Sequence, residues 1–268
     1  MIRLAIRASA EDAEPVLAAL LELAPAGVEQ VDGDGWVEFA IYGAPGELPS
    51  LPTGEATIGG VRVRVDGREV PDDWHERWKR FHRPVLVADR LHVRAPWEAP
   101  SRRPGVEEVV IDPGRAFGTG AHPTTRLCLE LLLAVEPAGP VADLGCGSGV
   151  LAIAAAKLGF GPVWAFDHDP AAVEATERNA AANGVTLARV ERLDLRAERP
   201  PRAPVVVANL MRSLLLEVAA RMEERPATLV VSGLLDHEAD EVAAAFAPLA
   251  ERDRRSAEGW SALLLTRP

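Results

Sequence analysis

Apolar and polar residues alternate in short runs along the first 70 residues, with one helical stretch among them. Ile2, Leu4 and Ile6 occupy every second position, which is the period of a half-buried strand. The tetrapeptide Asp-Gly-Asp-Gly at 32–35 separates two further strand patterns and predicts a hairpin. The prediction is a small, reduced ferredoxin-like α+β unit with a strand at 2–6, a helix at 11–23, hairpin strands at 28–31 and 36–41, a Gly/Pro-rich stretch at 43–60 and a strand at 61–65.

From residue 84 onward, short apolar runs alternate with longer stretches of helical periodicity. Strands are predicted at 106–111, 141–144, 163–166, 188–193, 205–208, 228–232 and 261–266, and helices at 124–135, 150–158, 170–183, 212–222 and 237–246. Repeated strand–helix units form a doubly wound, mostly parallel α/β sheet, whose ligand lies beyond the carboxyl ends of the strands where the strand order reverses. A polar aromatic segment predicts a linker helix, so the predicted boundaries are 1–70, 71–83 and 84–268.

Composition and charge narrow the class of protein. The chain is 48% hydrophobic and has two cysteines, which excludes wholesale disorder, a disulfide scaffold and a structural zinc cluster. It has no apolar run long enough for a membrane span and no secretory signal, so we expect a cytoplasmic protein with no membrane partner. The net charge of −11 disfavours free nucleic acid as a ligand.

The negative charge is concentrated near the N-terminus. Residues 1–70 carry 5 basic and 12 acidic side chains, a net charge of −7 out of −11. Such an acidic unit predicts docking of a basic protein partner, and a merely solvated acidic surface is the alternative.

A glycine-rich turn joins a predicted strand to a helix at Asp143-Leu-Gly-Cys-Gly-Ser-Gly149. Its spacing is GxGxG, and Val150 breaks the GxGxxG pattern of dinucleotide-binding proteins. An acid beside such a turn better suits a ligand with a cationic amine, such as S-adenosylmethionine. Asp167 ends the next strand, 24 residues later, where an acid typically binds ribose hydroxyls. Asp169 is predicted to cap the following helix.

A second Gly-rich segment, 111–126, runs into a helix whose first turn carries two threonines. The helix N-terminus and the hydroxyls offer hydrogen-bonding groups for an amino-acid ligand, and Phe117 could cover the cofactor. His122 lies in this segment as either a general base or a residue that fixes the loop, and the second role is favoured. His168 either lies beside an adenine or is an exposed loop residue.

Taken together, these motifs resemble a known family. The strings PGRAFGTGAHPTT, DLGCGSGVLAIAAAKLG, FDHDPAAVEATERNAAANGV and VANL are similar to the signature of PrmA, the class I methyltransferases of large-subunit ribosomal protein eleven. The resemblance covers 71–268 well and is weaker over the first 70 residues. It implies a seven-stranded class I methyltransferase sheet and transfer of methyl groups from S-adenosylmethionine to lysine side-chain or N-terminal amines.

The resemblance also implies site residues by position. Asn209 would be catalytic, facing the transferred methyl group, and Asp194 would bind the adenine amine. The implied cofactor-binding set is Phe117, Gly118, Thr124, Thr125, Gly145, Gly147, Asp167, Asp194 and Asn209. Phe166 replaces a small residue of the family before the ribose acid, and the residues after Leu210 vary among its members.

Other chemistries lack their motifs. The sequence contains no HExxH, CxxC or GxSxG, and its six histidines lack metal-ligand spacing, so no metal site is predicted. Cys128 and Cys146 are interpreted as small packing residues. Two alternatives stay open: the same methyl transfer to another protein or a small amine, and a non-catalytic cofactor-binding module. The oligomeric state is not predicted.

Overall fold

The computed structural model describes residues 2–23, 28–33, 35–43, 48, 53–69, 84–112 and 122–268. The chain divides into two compact units, Met1–Phe81 and His82–Pro268. The linker helix predicted at 71–83 lies outside the described residues. Within the described ranges, no helix is long and apolar enough to cross a membrane.

The first unit is one helix on a five-stranded antiparallel sheet. The elements are β1 (Ile2–Ser9), α1 (Ala13–Leu23), β2 (Glu29–Gly33), β3 (Trp36–Gly43), β4 (Gly54–Ile58) and β5 (Val61–Glu69), and the strand order is β2-β3-β1-β5-β4. Val16 and Leu20 of α1 pack on alternate residues of β1, β3 and β5, and both are fully buried. The hairpin prediction is confirmed, whereas the stretch at 43–60 was wrongly predicted to lack a strand, because β4 pairs with β5 there.

All five basic residues of the first 70 lie on this sheet: Arg3, Arg7, Arg62, Arg64 and Arg68. Strand alternation places them on the face opposite α1, since the residues between them belong to the apolar core. We call this surface the arginine face. Arg7 stands directly opposite Arg64, and Arg3 opposite Arg68.

Carboxylates on the same face reduce this repulsion between like charges. By strand register, Glu55 stands opposite Arg64, and Asp66 lies between Arg64 and Arg68. Glu38 binds Arg3 at 2.7 Å and Arg7 at 2.8 Å. Hydrogen bonding from Arg3, assisted by Arg7, lowers the pKa of Glu38 despite its partial burial.

The second unit contains a three-stranded sheet and a seven-stranded sheet with helices. Its elements are β6 (Val85–Val87), β7 (Leu91–Arg94), β8 (Glu107–Val110), α2 (Pro123–Leu132), β9 (Val141–Leu144), α3 (Val150–Lys157), β10 (Val163–Asp167), α4 (Pro170–Ala182), β11 (Arg189–Arg192), β12 (Val205–Asn209), α5 (Arg212–Arg221), β13 (Thr228–Leu235), α6 (Ala239–Ala245), β14 (Ala250–Ala257) and β15 (Trp260–Thr266). The prediction of an α/β fold is confirmed, and the larger sheet is mixed.

The large sheet has the order β11-β10-β9-β12-β13-β15-β14. The five strands from β11 to β13 are parallel, and β15 runs antiparallel to both β13 and β14. The chain proceeds from β9 to β10 and β11 on one side and returns with β12 on the other. The strand order therefore reverses at β9, whose carboxyl end is where a ligand crevice forms in such sheets.

Both faces of the large sheet are covered. Val207 of β12 belongs to the apolar cluster that includes residues of α2 and α3. Its neighbour Val206 points the other way, into the cluster that includes residues of α5 and α6. The strand predicted at 106–111 is part of the small sheet, where β8 pairs with β7. The charged strand β14 was missed.

Candidate active site

The glycine-rich turn is tied to the neighbouring strand by its backbone. The N–H groups of Gly145 and Cys146 donate to the carbonyl of Phe166 in β10, at 2.8 and 2.9 Å. Gly145 has φ +76°, and a Cβ there would lie 2.3 Å from Leu210 Cδ2. Only glycine meets both requirements without strain, so the turn brings bare backbone to the carboxyl end of β9.

Asp143 lies beneath this turn and is 1% exposed. Its Oδ2 accepts a hydrogen bond from the N–H of Ala152 at 3.0 Å, in the first turn of α3, whose N-cap Gly149 has no side chain. Its buried Oδ1 has no hydrogen-bond partner among the described residues. Burial, with a smaller contribution from the charge of Asp167, raises the pKa of Asp143 to about 7 against the hydrogen bond from Ala152. The carboxylate thus caps the helix and does not face outward.

Asp167 ends β10 and is oriented by backbone N–H groups. Its Oδ2 accepts from Gly147 at 2.9 Å, and its Oδ1 accepts from Asp169 at 3.0 Å. Each carboxylate oxygen has further lone pairs, so both retain capacity for a hydroxyl ligand. Asp169 is confirmed as the N-cap of α4, since its side chain accepts from the N–H of Ala171 at 2.8 Å.

Asn209 ends β12 and is held by Thr124 and Thr125, which the sequence placed in the same cofactor-binding set. Its Nδ2 donates to Thr124 Oγ1 at 3.2 Å and to Thr125 Oγ1 at 3.3 Å. Both threonines are buried, at 1% and 0% exposed. The hydroxyls therefore anchor Asn209, and Oδ1 remains its acceptor, with no hydrogen bond to it among the described residues.

His122 is the N-cap of α2. Its Nδ1 accepts from the N–H of Thr124 at 3.3 Å and lies 2.8 Å from the hydroxyl of the same residue. Its ring packs edge-on against Trp260, with centroids 5.1 Å apart. Burial lowers the pKa of His122, although the charge of Glu258 opposes this. These contacts fit the loop-fixing interpretation, because Nδ1 is occupied by the start of the helix.

The remaining residues singled out in the sequence are Asp194, His168, Phe117, Gly118 and the two cysteines. Asp194 follows β11, and its Oδ1 accepts from the N–H of Arg196 at 2.9 Å in a local turn. The His168 side chain is 65% exposed and lies 3.2 Å from Asp167 Oδ1. Phe117 and Gly118 lie outside the described residues. Burial raises the pKa of the Cys128 and Cys146 thiols, which suits packing residues better than nucleophiles.

Sequence reasoning missed three residues that support this site. Asn179 of α4 and the C-cap residue Asn183 bind the backbone of other segments, and Gly233 lies against Leu210. The spacing NxxxNG was visible in the sequence but was assigned no role. Gly233 carried no signal, because its neighbour Leu210 is distant in sequence.

The comparisons with known proteins agree with this arrangement. A family model described as ribosomal protein L11 methyltransferase (PrmA) matches residues 53–268. The chain belongs to this family. A ribosomal protein L11 methyltransferase of Bordetella parapertussis is 42% identical over 216 residues, covering 73% of this chain and 68% of the relative. One from Cupriavidus metallidurans is 36% identical over an alignment of 297 positions, covering 98% and 95%.

A solved family structure also resembles the chain. The crystal structure of ribosomal protein L11 methylase from Lactobacillus delbrueckii subsp. bulgaricus has a TM-score of 0.63 and 27% identity, and it covers 70% of this chain and 98% of that chain. The family motifs of the second unit therefore occur on the fold expected for a methyltransferase. The alignment to the Cupriavidus relative extends the family match across nearly all of the first unit.

Proposed function

We propose that this chain transfers methyl groups from S-adenosylmethionine to lysine side-chain or N-terminal amines of ribosomal protein L11. The observation that carries the proposal is the grouping at one edge of the large sheet. Asp167 and Asn209 end β10 and β12, the strands on either side of β9, and the glycine turn follows β9 between them. The family match supplies the reaction and the substrate class.

The residues present fit S-adenosylmethionine. Asp167 keeps acceptor capacity on both oxygens for the two ribose hydroxyls, and the glycine turn presents backbone without side chains. Gly145, Gly147, Thr124, Thr125 and Asp194 are proposed to complete the cofactor site, with Phe117 and Gly118. The bound cofactor supplies a sulfonium-activated methyl group that needs only in-line placement of a neutral amine.

The acceptor amine has to be unprotonated, and the cost depends on its kind. For lysine, with a pKa near 10.4, deprotonation at neutral pH costs roughly 4 kcal/mol, whereas an α-amine near pKa 8 costs about 1 kcal/mol. Asn209 is placed to orient the acceptor amine, because its Nδ2 is held by two buried threonine hydroxyls while Oδ1 accepts no hydrogen bond from the part of the chain that the structure describes. An N–H of the acceptor amine would bind Oδ1, which directs the nitrogen lone pair toward the methyl group.

His122 is not proposed as the base. Its Nδ1 already accepts from the start of α2, and burial favours its neutral form. Asp143 is buried beneath the turn and is equally unsuited to direct proton transfer. Water is proposed to take the proton, so the site acts by positioning.

The finer domain assignments are also part of this proposal. The first unit would be a reduced ferredoxin-like domain, in which β5 takes the place of the last strand and a Gly/Pro-rich stretch with β4 replaces the second helix. Residues 1–70 would dock the substrate, 71–83 would link the units, and 84–268 would form a class I methyltransferase domain with a seven-stranded sheet. The expected setting is the cytoplasm, where the basic ribosomal protein is made.

A direct test is methyl transfer in solution. Purified enzyme is incubated with tritiated S-adenosylmethionine and either ribosomal protein L11, a mixture of other ribosomal proteins or small amines, and the labelled products are mapped by mass spectrometry. Label on lysine or N-terminal amines of L11 supports the proposal. Label confined to another acceptor would change the substrate, and cofactor binding without any transfer would favour a binding module.

A further inference from the structure

A row of polar side chains runs along the face of α4 that packs on the glycine-rich turn. Thr176, Asn179 and Asn183 follow one another at helical spacing, and Thr176 and Asn179 are 0% and 2% exposed. Buried polar groups are expensive unless they are hydrogen-bonded, so each must have partners. Most of these partners are backbone groups of other segments. In addition, the Thr176 hydroxyl lies 3.3 Å from Cys146 Sγ, and Asn183 Nδ2 donates to the Asn179 carbonyl at 2.8 Å.

Two members of the row bind consecutive carbonyls of the glycine turn. Thr176 Oγ1 donates to the carbonyl of Gly147 at 3.1 Å, and Asn179 Nδ2 donates to the carbonyl of Ser148 at 2.8 Å. The approach is close, since a Cβ on Gly149 would lie 2.9 Å from Thr176 Cγ2. These two hydrogen bonds hold the carbonyls of Gly147 and Ser148 pointing toward α4. They therefore fix the orientation of both peptide groups.

The asparagines also bind the chain that follows β8. Asn183 exchanges two hydrogen bonds with the backbone of Val110, accepting its N–H at 2.8 Å and donating to its carbonyl at 2.6 Å. Asn179 Oδ1 accepts the N–H of Asp112 at 3.0 Å. Because β8 is an edge strand of its sheet, the two side-chain amides act as the neighbouring strand that it lacks.

Asn179 is therefore the member that touches both segments. The Asn179 amide joins Ser148, in the turn after β9, to Asp112, after β8. Among the residues that the structure describes, Asn183 binds Val110 and its own helix and does not reach the turn. We propose that Asn179 is a positioning residue for cofactor binding, which holds the glycine turn in register with residues 110–112. This inference rests on the proposed function, since it assumes that the turn binds the cofactor.

The Asn-to-Asp substitution removes the donor of Asn179 and keeps its acceptor. The lost donor binds the Ser148 carbonyl at 2.8 Å and, more weakly, the Asp112 carbonyl at 3.4 Å. In Asn179→Asp, a carboxylate oxygen still accepts from Asp112 but the other faces the Ser148 carbonyl, where donor is replaced by acceptor. Asn183→Asp is the matched control, because it makes the same change one turn further on, beside Val110 and away from the glycine turn. Both variants lose buried hydrogen bonds to carbonyls and both should be destabilised.

The measurement is calorimetric titration with S-adenosylhomocysteine, with steady-state kinetics and thermal melting of the same full-length proteins. We expect Asn179→Asp to raise the dissociation constant and the KM for S-adenosylmethionine at least tenfold, with kcat at saturation within about threefold of wild type. Asn183→Asp should change the dissociation constant less than threefold. Equal shifts in the two variants, or unchanged affinity in a folded Asn179→Asp, would overturn the proposal.

A second pair of variants tests the same proposal if Asn179→Asp fails to fold. Thr176→Val removes the hydroxyl that binds the Gly147 carbonyl at nearly constant volume, and Thr176→Ser keeps it. Weaker binding in Thr176→Val with near-normal binding in Thr176→Ser is expected, and equal affinity in both would count against positioning from α4. Wild-type protein that fails to bind S-adenosylhomocysteine would instead refute the proposed function, and this inference with it.

Discussion

Replacing Gly233 by alanine should slow methyl transfer without touching the site directly. Gly233 lies at an irregularity in β13, between Ser232 and Leu234, with φ +86°. A Cβ built there would lie 2.4 Å from the carbonyl oxygen of Leu210 and 2.8 Å from its carbonyl carbon. Since Cβ atoms essentially never come closer than 3.0 Å, the backbones of residue 233 and Leu210 have to move apart by at least 0.6 Å. Leu210 directly follows Asn209, so the displacement reaches the acceptor-orienting amide.

Gly139→Ala provides the matched control. Gly139 has φ +76°, and the nearest atom to its Cβ would be Pro204 Cγ at 3.8 Å, an ordinary contact. Both variants should lose roughly 1–2 kcal/mol of unfolding free energy, because both force alanine into the left-handed region. Gly233→Ala should lose about 1–3 kcal/mol more through the overlap.

The two variants should differ more in turnover than their difference in unfolding free energy suggests. A misplacement of about 1 Å in a positioned group costs on the order of 100-fold in rate. Because the displacement required here is at least 0.6 Å, we expect kcat of Gly233→Ala to fall roughly 10- to 100-fold, and kcat of Gly139→Ala to stay near wild type. Urea denaturation and single-turnover methylation measure the two effects. Equal turnover of the two variants, both folded, would refute the link from Gly233 to Asn209.

Four further outcomes follow from the structure. Asp167→Ala should weaken S-adenosylhomocysteine binding by roughly 1.5–3 kcal/mol, as expected for loss of a charge-assisted hydrogen bond, and calorimetry showing unchanged affinity would contradict the ribose assignment. Asn209→Ala should lower kcat and leave cofactor affinity nearly unchanged, and the reverse pattern in kinetics would give it a binding role. Asp143 has its pKa raised from 3.8 to about 7 in the folded state, so stability should fall as pH rises from about 4 to 7, by up to roughly 4 kcal/mol. Urea denaturation of Asp143→Asn should show a flatter profile over that range. Deleting residues 1–70 should preserve cofactor binding but lower kcat/KM for intact protein substrate, and equal kcat/KM would exclude a docking role.

The strand–helix alternation was readable from the sequence because each element carries its own periodicity. Strands β9 and β12 are short apolar runs, and Asp169 is a polar residue directly before a proline. The strand predictions and the helix-cap prediction therefore depend only on residues close together in the sequence. The site residues at the carboxyl ends of these strands follow from the topology. Asp167 and Asn209 could therefore be assigned to one edge before any contact was known.

The features that were missed depend on partners far along the chain. Asn179 resembles a solvated helix residue, yet it binds Ser148 and Asp112, which are 31 and 67 positions away. Strand β4 begins in a Gly/Pro-rich stretch, and its pairing with β5 overrides that composition. Strand β14 is predominantly charged, and it forms because β15 offers an unpaired edge. In each case a tertiary contact outweighs local preference.

The arginine face gives the first unit a permanent dipole as well as a net charge. All five of the cations in residues 1–70 lie on one side of the sheet, while acidic Glu11 and Asp12 lie beside the start of α1, which covers the other side. A partner at long range senses the sum of −7. At short range it senses an acidic helical side and an arginine face on which Glu29, Glu38, Glu55 and Asp66 offset most of the positive charge. The unit would therefore turn a basic protein toward its helical side before any contact forms, so that charge selects the orientation of the encounter as well as its rate.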